Sequence, residues 1–259
     1  MSEDPEEKLA EGTLISHLRE LRDRLIRCCI ALAVAFVPCM TYSNQIWAYV
    51  ARPLIEKLPH GNTLIATTVM GPFLIPFKSA FFVAVLAATP YVLYQLWAFV
   101  APGLYRHEKR FAIPLLVTSI VLFYVGIAFA YVCVFPVLFG FVASIVPPGV
   151  AMRPDIGAYL DTVVKLFLVF GVAFEMPIAV ALLVLTGVVS IDKLKSNRRY
   201  VLFGVFVAAA FINPLPDALS QSILAIPMYG LYEGGILLAS ILSKMRESVG
   251  QDRKIGQAS

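Results

Sequence analysis

The sequence FAIPLLVTSIVLFYVGIAFAYVCVFPVLFGFVASI, from Phe111 to Ile145, contains no Asp, Glu, Lys, Arg or His. A helix crosses the roughly 30 Å hydrocarbon core of a bilayer with about 20 apolar residues, because each residue rises about 1.5 Å. This stretch is long enough to do so. It also lacks the alternation of apolar and polar residues that marks the strands of a membrane β-barrel. The stretch therefore predicts a membrane-spanning helix and an all-α fold.

The rest of the chain has the same character. Hydrophobic residues make up 59% of it and charged residues 15%, and a mean hydropathy of +0.80 leaves too little polar surface for a soluble domain. We predict one integral membrane domain over residues 1–259, with an amphipathic helix at 14–24 before the spans and a tail at 243–259 after them. The six predicted spans are 25–42, 77–100, 111–145, 161–189, 200–212 and 218–242. The fifth span is short, since its helix would extend only about 20 Å.

The distribution of basic residues predicts the orientation. If the N-terminus lies inside, most Lys and Arg residues fall in four inner segments: the residues before the first span, the loops around Arg106 to Arg110 and Lys193 to Arg199, and the tail. Cytoplasmic loops of membrane proteins carry such an excess. Both termini are therefore predicted to be cytoplasmic. The net charge of +4 follows from this asymmetry, and no basic stripe with exposed aromatic residues indicates a nucleic-acid partner.

Sequence motifs of enzymes are missing. The chain has no phosphate-binding loop, no His-Glu-x-x-His helix and no Gly-x-Ser-x-Gly elbow. We therefore expect no enzyme activity, no catalytic residues, and no metal or cofactor. Cys28, Cys29, Cys39 and Cys133 lack the spacing of a zinc site and are predicted to be small buried residues. The acidic start of the chain is unlike a secretory or organellar leader, so no cleaved segment is expected.

Two carboxylates fall on the predicted cytoplasmic side. Glu20 lies on the amphipathic helix opposite a stripe of leucines, and Glu108 lies in a basic inner loop. Two interpretations stay open for each. Glu20 forms an ordinary surface pair with Arg24, four residues later, and Glu108 relieves repulsion among its basic neighbours. Alternatively, both meet a peptide that carries adjacent arginines, since the topology places them on the same membrane face.

A third carboxylate, Glu175, lies near the middle of the span at 161–189. A charged group at that depth costs about 2.5–3.5 kcal/mol on insertion scales, so the carboxyl group is expected to be protonated, paired, or facing a wet cavity. A hydrogen bond to a neighbouring helix is the structural alternative. Other polar residues lie nearer to helix ends and give weaker signals, among them Gln95, Lys165, Asp217, Gln221 and Glu233.

Several motifs occur together in the order found in one known family. They include HLRELR at His17 to Arg22, YQLWAFVAPGLY at Tyr94 to Tyr105, FEMP at Phe174 to Pro177 and AIPMY at Ala225 to Tyr229. On these motifs the chain resembles the TatC family, the multi-span receptor component of the twin-arginine protein translocase, from about Leu14 to Ser240.

The resemblance implies a fold and a function. The six helices would form a curved, concave wall whose cytoplasmic surface receives the twin-arginine signal peptide of a folded cargo protein. Small single-span subunits of the TatA and TatB type, other copies of the chain and membrane lipid would be the remaining partners. Transport across the bacterial inner membrane would be driven by the proton-motive force. The implied signal-peptide-binding residues are Glu20, Glu108, Arg22, His17 and Phe99; the implied polar residues of a membrane cavity are Glu175 and Gln95; the implied partner contacts are Asp217 and Gln221.

A proton- or ion-coupled small-molecule transporter is the alternative function, with Glu175 as the relay. Such a transporter favours paired discontinuous helices or an inverted repeat, and neither is evident in the sequence. An intramembrane enzyme would need a nucleophile and a base at matched depth, and no such set is apparent.

Overall fold

The computed structural model describes residues 5–55, 64–100, 109–147, 153–212 and 217–256. Ten α-helices account for most of this part of the chain, and a π-helical segment at Ala130–Val134 joins two of them. The helices are α1 (Pro5–Thr41), α2 (Ser43–Ile55), α3 (Gly71–Val100), α4 (Lys109–Phe129), α5 (Phe135–Ser144), α6 (Ile156–Ala173), α7 (Met176–Leu185), α8 (Ile191–Ser196), α9 (Arg198–Ile212) and α10 (Ala218–Gly256).

The predicted all-α fold class is confirmed. In the described ranges the regular structure is helical, apart from an isolated β-bridge between Ile65 and Asp155. Five helical segments there are long and apolar enough to cross a membrane, which makes this a multi-pass membrane protein. They are Ile15–Thr41, Gly71–Phe99, Ile113–Ser144, Ile156–Leu185 and Ala218–Lys244.

Helix α9 covers the short span predicted at 200–212. It has 15 residues and extends about 22 Å, which is less than the roughly 30 Å of the hydrocarbon core. A sixth crossing at α9 therefore stays a prediction, as does the orientation of the termini.

The span predicted at 161–189 is divided into two helices. Helix α6 ends at Ala173, and α7 begins at Met176 with Pro177 in its first turn. Proline has no amide hydrogen and its ring clashes with the preceding turn, so a helix breaks just before it. The break places Glu175 between two helices, where its backbone carbonyl begins α7 by accepting the amide of Ala179.

An aromatic core holds the central helices together. Phe135 and Phe170 are fully buried, and Phe167 stacks on Phe82 with ring centroids 5.3 Å apart. Helices α4 and α6 approach closely because Gly126 has no side chain; a Cβ atom there would lie 2.6 Å from the carbonyl oxygen of Phe170. This close approach brings the middle of α4 beside the break that holds Glu175.

Helix α1 differs from the central helices in how far its side chains are buried. It packs against α3, and none of its described side chains, at 15–41, is buried. The predicted leucine stripe is exposed at Leu18, Leu21 and Leu25. These exposed apolar side chains are available to lipid.

The prediction of buried cysteines is wrong. Cys29 and Cys133 are exposed, and Cys28 and Cys39 are only half-buried. A helix face that contacts lipid is as apolar as one that contacts protein, so an apolar run of sequence does not distinguish the two.

Contacts between helices define two opposite ends of the molecule. At one end Phe36 of α1 meets Phe77 of α3 with ring centroids 5.2 Å apart; at the other, His17 stacks on Phe99. We call the first the Asp155 end; it comprises residues 64–78 and 153–165 and the C-terminal turn of α9. We call the second the Glu20 end; it comprises residues 15–24 and 91–100.

Candidate functional site

Glu20 is hydrogen-bonded to an arginine of its own chain. Its Oε1 atom accepts hydrogen bonds from Arg24 Nε at 3.0 Å and from Arg24 Nη2 at 2.5 Å. The i,i+4 pair that the sequence predicts is therefore present. The Glu20 side chain stays 39% exposed, whereas that of Arg24 is 19% exposed. The acid is thus accessible and is held from one side by the more buried base.

The same guanidinium joins α1 to α3. Arg24 Nη1 donates to Oε1 of Gln95 at 3.1 Å, and Nη2 donates to the backbone oxygen of Ala98 at 3.1 Å. Gln95 is buried and donates its Nε2 to the hydroxyl of Tyr91 at 2.7 Å. The predicted cavity residue Gln95 therefore lies with Arg24 at the Glu20 end and is not among the residues that line the cavity beside Glu175.

Two other predicted residues lie next to this pair. His17 stacks on Phe99 with ring centroids 4.3 Å apart and an interplanar angle of 25°, and it precedes Glu20 by three residues, which places it on the same face of α1. We call Glu20, Arg24, Gln95, His17 and Phe99 the Glu20 cluster. Arg22 is 67% exposed and bonds its neighbour Asp23, from Nη2 to Oδ1 at 2.9 Å. The structure therefore unites four of the predicted residues and leaves Arg22 outside the cluster.

Glu108 lies outside the described residues. Helix α4 begins at the next residue, Lys109. The shared membrane face of Glu20 and Glu108 therefore stays a prediction.

Glu175 sits in a small cavity between α3, α4 and α7. Its Oε2 accepts a hydrogen bond from Ser119 Oγ at 2.7 Å, and Ser119 Oγ in turn accepts one from Trp97 Nε1 at 3.2 Å. Its other oxygen, Oε1, is buried and has no hydrogen-bond partner in the described part of the chain. The cavity measures about 150 Å³ and is lined mainly by apolar side chains, including Leu93 and Ile178. Glu175 thus bonds a neighbouring helix and also faces a cavity.

Asp217 and Gln221 make contacts within the α9–α10 hairpin. Asp217 caps α10: its Oδ1 accepts the Ser220 amide at 2.8 Å, and its Oδ2 accepts the Ser220 hydroxyl. These bonds hold the pKa of Asp217 below its usual range. Gln221 donates its Nε2 to the backbone oxygen of Phe206 on α9 at 2.8 Å. Both residues therefore order the hairpin, and the partner contacts that the resemblance implies for them stay a prediction.

Comparison with known proteins defines the family. The sequence model described as TatC, Sec-independent protein translocase protein, matches residues 16–227. The chain belongs to the TatC family. Relatives described as Sec-independent protein translocase protein TatC are 49% identical in Escherichia coli K12, covering 87% of each chain, and 47% identical in Azotobacter chroococcum, covering 92% of this chain and 93% of the relative. The crystal structure of the twin-arginine translocase receptor TatC matches with a TM-score of 0.77 at 37% identity, covering 88% of this chain and 99% of the other.

Two residues that orient Glu175 beside its cavity were not predicted from the sequence. Ser119 and Trp97 orient Glu175, yet they come from α4 and α3. Ser119 gave a usable signal, because it is a hydroxyl residue inside the stretch from Phe111 to Ile145, which has no charged residue and few polar ones. A hydroxyl in such a helix usually bonds its own backbone or a neighbouring helix.

A third residue that was not predicted from the sequence is Asp155, at the Asp155 end. Asp155 caps α6 by accepting the Ala158 amide at 2.8 Å, and its Oδ2 accepts both the amide and the hydroxyl of Thr67, at 3.0 and 2.6 Å. The hydroxyl of Thr67 and these backbone amides lower the pKa of Asp155 to about 2. The carboxylate therefore connects two loops that are 88 positions apart.

Proposed function

We propose that this chain is the subunit of a bacterial twin-arginine translocase that binds the arginine pair of a signal peptide, with Glu20 and Glu108 as the two carboxylates. The observation that carries the proposal is the Glu20 cluster, where a carboxylate already holds one guanidinium and still exposes 39% of its side chain. A planar guanidinium offers paired donors that match a carboxylate, whereas a lysine ammonium offers a compact charge. The site is therefore suited to distinguish arginine from lysine.

Membership of the TatC family supports this assignment, since the matched relatives are protein translocase proteins. The proposal places the chain in the inner membrane and gives it a transport role rather than a catalytic one. Without a nucleotide-binding motif, the energy for transport would come from the proton-motive force.

The test is binding of an Arg-Arg signal peptide, at fixed salt, to the protein in detergent or nanodiscs. Glu20→Gln and Glu108→Gln keep the size of each side chain and remove its charge, so each should weaken binding by roughly 1–3 kcal/mol, the range for charge-assisted hydrogen bonds. Asp23→Asn is the matched control, because Asp23 is an exposed acid on the same helix that pairs with its neighbour Arg22. Unchanged affinity in both glutamate variants would refute the proposal.

We further propose that the cavity beside Glu175 receives the hydrophobic part of the signal peptide or of a single-span subunit. The apolar lining of the cavity supports this, and the unpartnered Oε1 atom is open to a hydrogen-bond donor of such a segment, because a buried carboxyl oxygen without a partner is costly in an apolar medium. A cysteine at position 175 should crosslink to one of those segments. The background must lack the native thiols, since Cys29 and Cys133 are exposed, and crosslinks to lipid probes alone would contradict the assignment.

The α9–α10 hairpin is the proposed contact surface for single-span subunits of the TatA and TatB type. Phe211 is 81% exposed, Phe203 72% and Leu219 66%, so the hairpin offers a large apolar surface. Asp217 and Gln221 would support this contact by fixing the start of α10 and its distance from α9.

A further inference from the structure

Arg24 is the polar centre of the contact between α1 and α3. Its guanidinium makes four hydrogen bonds to three acceptors: the Glu20 carboxylate on α1, and the Gln95 amide and Ala98 carbonyl on α3. A guanidinium has five N–H donors in a rigid fork and accepts no hydrogen bonds. Arg24 therefore uses most of its donors to connect Glu20 to a second helix.

Both contacts on α3 are well fixed. Gln95 is 4% exposed, and the bond from its Nε2 to Tyr91 at 2.7 Å orients the amide so that Oε1 faces Arg24. Ala98 is among the last residues of α3, which ends at Val100. Carbonyl groups in the last turn of a helix have no amide partner within the helix, and a cation there is favoured by the helix dipole. Arg24 is therefore fixed to α3 at two points and holds Glu20 from there.

The hydrogen bonds from Arg24 engage only one of the two carboxylate oxygens of Glu20. Both Arg24 donors reach the same oxygen, Oε1, at 3.0 and 2.5 Å. The other oxygen, Oε2, accepts no hydrogen bond from the residues that the structure describes. One oxygen of the carboxylate is thus held and the other is available.

We propose that Arg24 is a positioning residue, which holds Glu20 by Oε1 so that Oε2 binds the incoming arginine; this inference rests on the proposed function. A free glutamate on a helix surface would lose side-chain entropy when it binds a ligand. Arg24 removes that cost in advance. It also fixes the direction of the carboxylate, so that two N–H donors of the incoming guanidinium can converge on Oε2 as those of Arg24 do on Oε1.

Arg24→Lys is the informative variant, because it keeps the positive charge and removes the fork. A single ammonium cannot bond Glu20, Gln95 and Ala98 in their present directions. Affinity for an Arg-Arg peptide should fall about tenfold, as expected for the loss of a charge-assisted contact, and the preference for Arg-Arg over Lys-Lys peptides should shrink. Arg27→Lys is the control, since Arg27 is exposed on the same helix. Tyr91→Phe, which releases Gln95 without changing Arg24, should act in the same direction with a smaller effect.

A double variant separates the possible outcomes. If Arg24 acts through Glu20, then Glu20→Gln with Arg24→Lys should bind no more weakly than Glu20→Gln alone. Unchanged affinity and preference in Arg24→Lys and Tyr91→Phe, with Glu20→Gln still defective, would overturn the role of Arg24 and leave the proposed function intact. Tighter binding by Arg24→Lys would also overturn it, since Arg24 would then be a competitor of the peptide. Full binding by Glu20→Gln would refute this inference, and full binding by Glu108→Gln as well would refute the proposed function itself.

Discussion

The Asp155 end and the Glu20 end are held together in different ways. At the Asp155 end, polar bonds connect many segments: Ile65 pairs by its backbone with Pro154 and Ile156, Tyr159 donates its hydroxyl to the backbone oxygen of Val50 at 2.9 Å, and Lys165 donates to the Phe211 carbonyl at 2.9 Å. At the Glu20 end, α1 is joined to α3 through the Glu20 cluster. Among the described residues, one end is therefore cross-connected by bonds between several segments, whereas at the other end the Glu20 cluster joins α1 to α3.

This difference indicates that the two ends have different roles, one in stability and the other in binding. Bonds between distant segments resist local opening, whereas an end held by few bonds is easier to rearrange around a ligand. We expect substitutions at the Asp155 end to change stability and substitutions at the Glu20 end to change binding.

The largest expected effect concerns which side of the membrane each end faces. In a cysteine-free background, a cysteine at Val69, which is 98% exposed at the Asp155 end, should react with an impermeant thiol reagent added outside. A cysteine at Ser196, in the basic segment before α9, should react only when the reagent is added to the cytoplasmic side, as the distribution of Lys and Arg predicts. Labelling of position 196 from outside would reverse the orientation.

The next effect separates stability from binding. Tyr159→Phe removes a buried hydrogen bond and leaves the Val50 carbonyl without that donor, which should lower the free energy of unfolding by about 1–2 kcal/mol. Its affinity for the signal peptide should not change. Glu20→Gln should show the opposite pattern, with weaker binding and a nearly unchanged melting temperature. If both variants lost stability and binding in parallel, the two ends would not be separate units.

A smaller effect should appear at low pH. The folded protein lowers the pKa of Asp155 from 3.8 to about 2, so the unfolded chain binds the proton more tightly. The stabilisation from ionised Asp155 is therefore complete above about pH 4 and is lost as the pH falls through about 2. Melting temperatures of Asp155→Asn should decline less between pH 4 and pH 2 than those of the unaltered protein. Equal declines would show that Asp155 does not contribute.

The smallest effect is expected at Lys78 and Asp161. They form an ion pair at 2.8 Å, with side chains 48% and 62% exposed, and exposed pairs of this kind contribute about 0–1 kcal/mol. Lys78→Gln should therefore leave the melting temperature almost unchanged, in contrast to Tyr159→Phe at the same end. A large loss would mean that this pair, rather than the buried bonds, holds the Asp155 end together.

Local features of the site were predictable from sequence. The all-α fold followed from apolar runs, because backbone groups in lipid must bond within their own helix. The bond between Glu20 and Arg24 followed from the four-residue spacing that places both side chains on one helix face. Glu175 was recognisable because a carboxylate in an apolar run is costly.

Contacts between distant segments were not predictable in this way. Gln95 is 71 positions from Arg24, and Thr67 is 88 positions from Asp155. Such pairs depend on which helix faces meet, and that is decided by the packing of side chains such as those around Gly126. The break at Pro177 was foreseeable as a kink, but its consequence for Glu175 depended on Ser119 of another helix.

The central claim is that Glu20 binds an arginine of the signal peptide directly. A double-mutant cycle tests it, with Glu20→Gln in the protein, replacement of one peptide arginine by glutamine, and affinity measured for all four combinations at fixed salt. Direct contact predicts a coupling free energy of roughly 1–3 kcal/mol for one of the two arginines. Losses that simply add for both arginines, with coupling near zero, would contradict the claim.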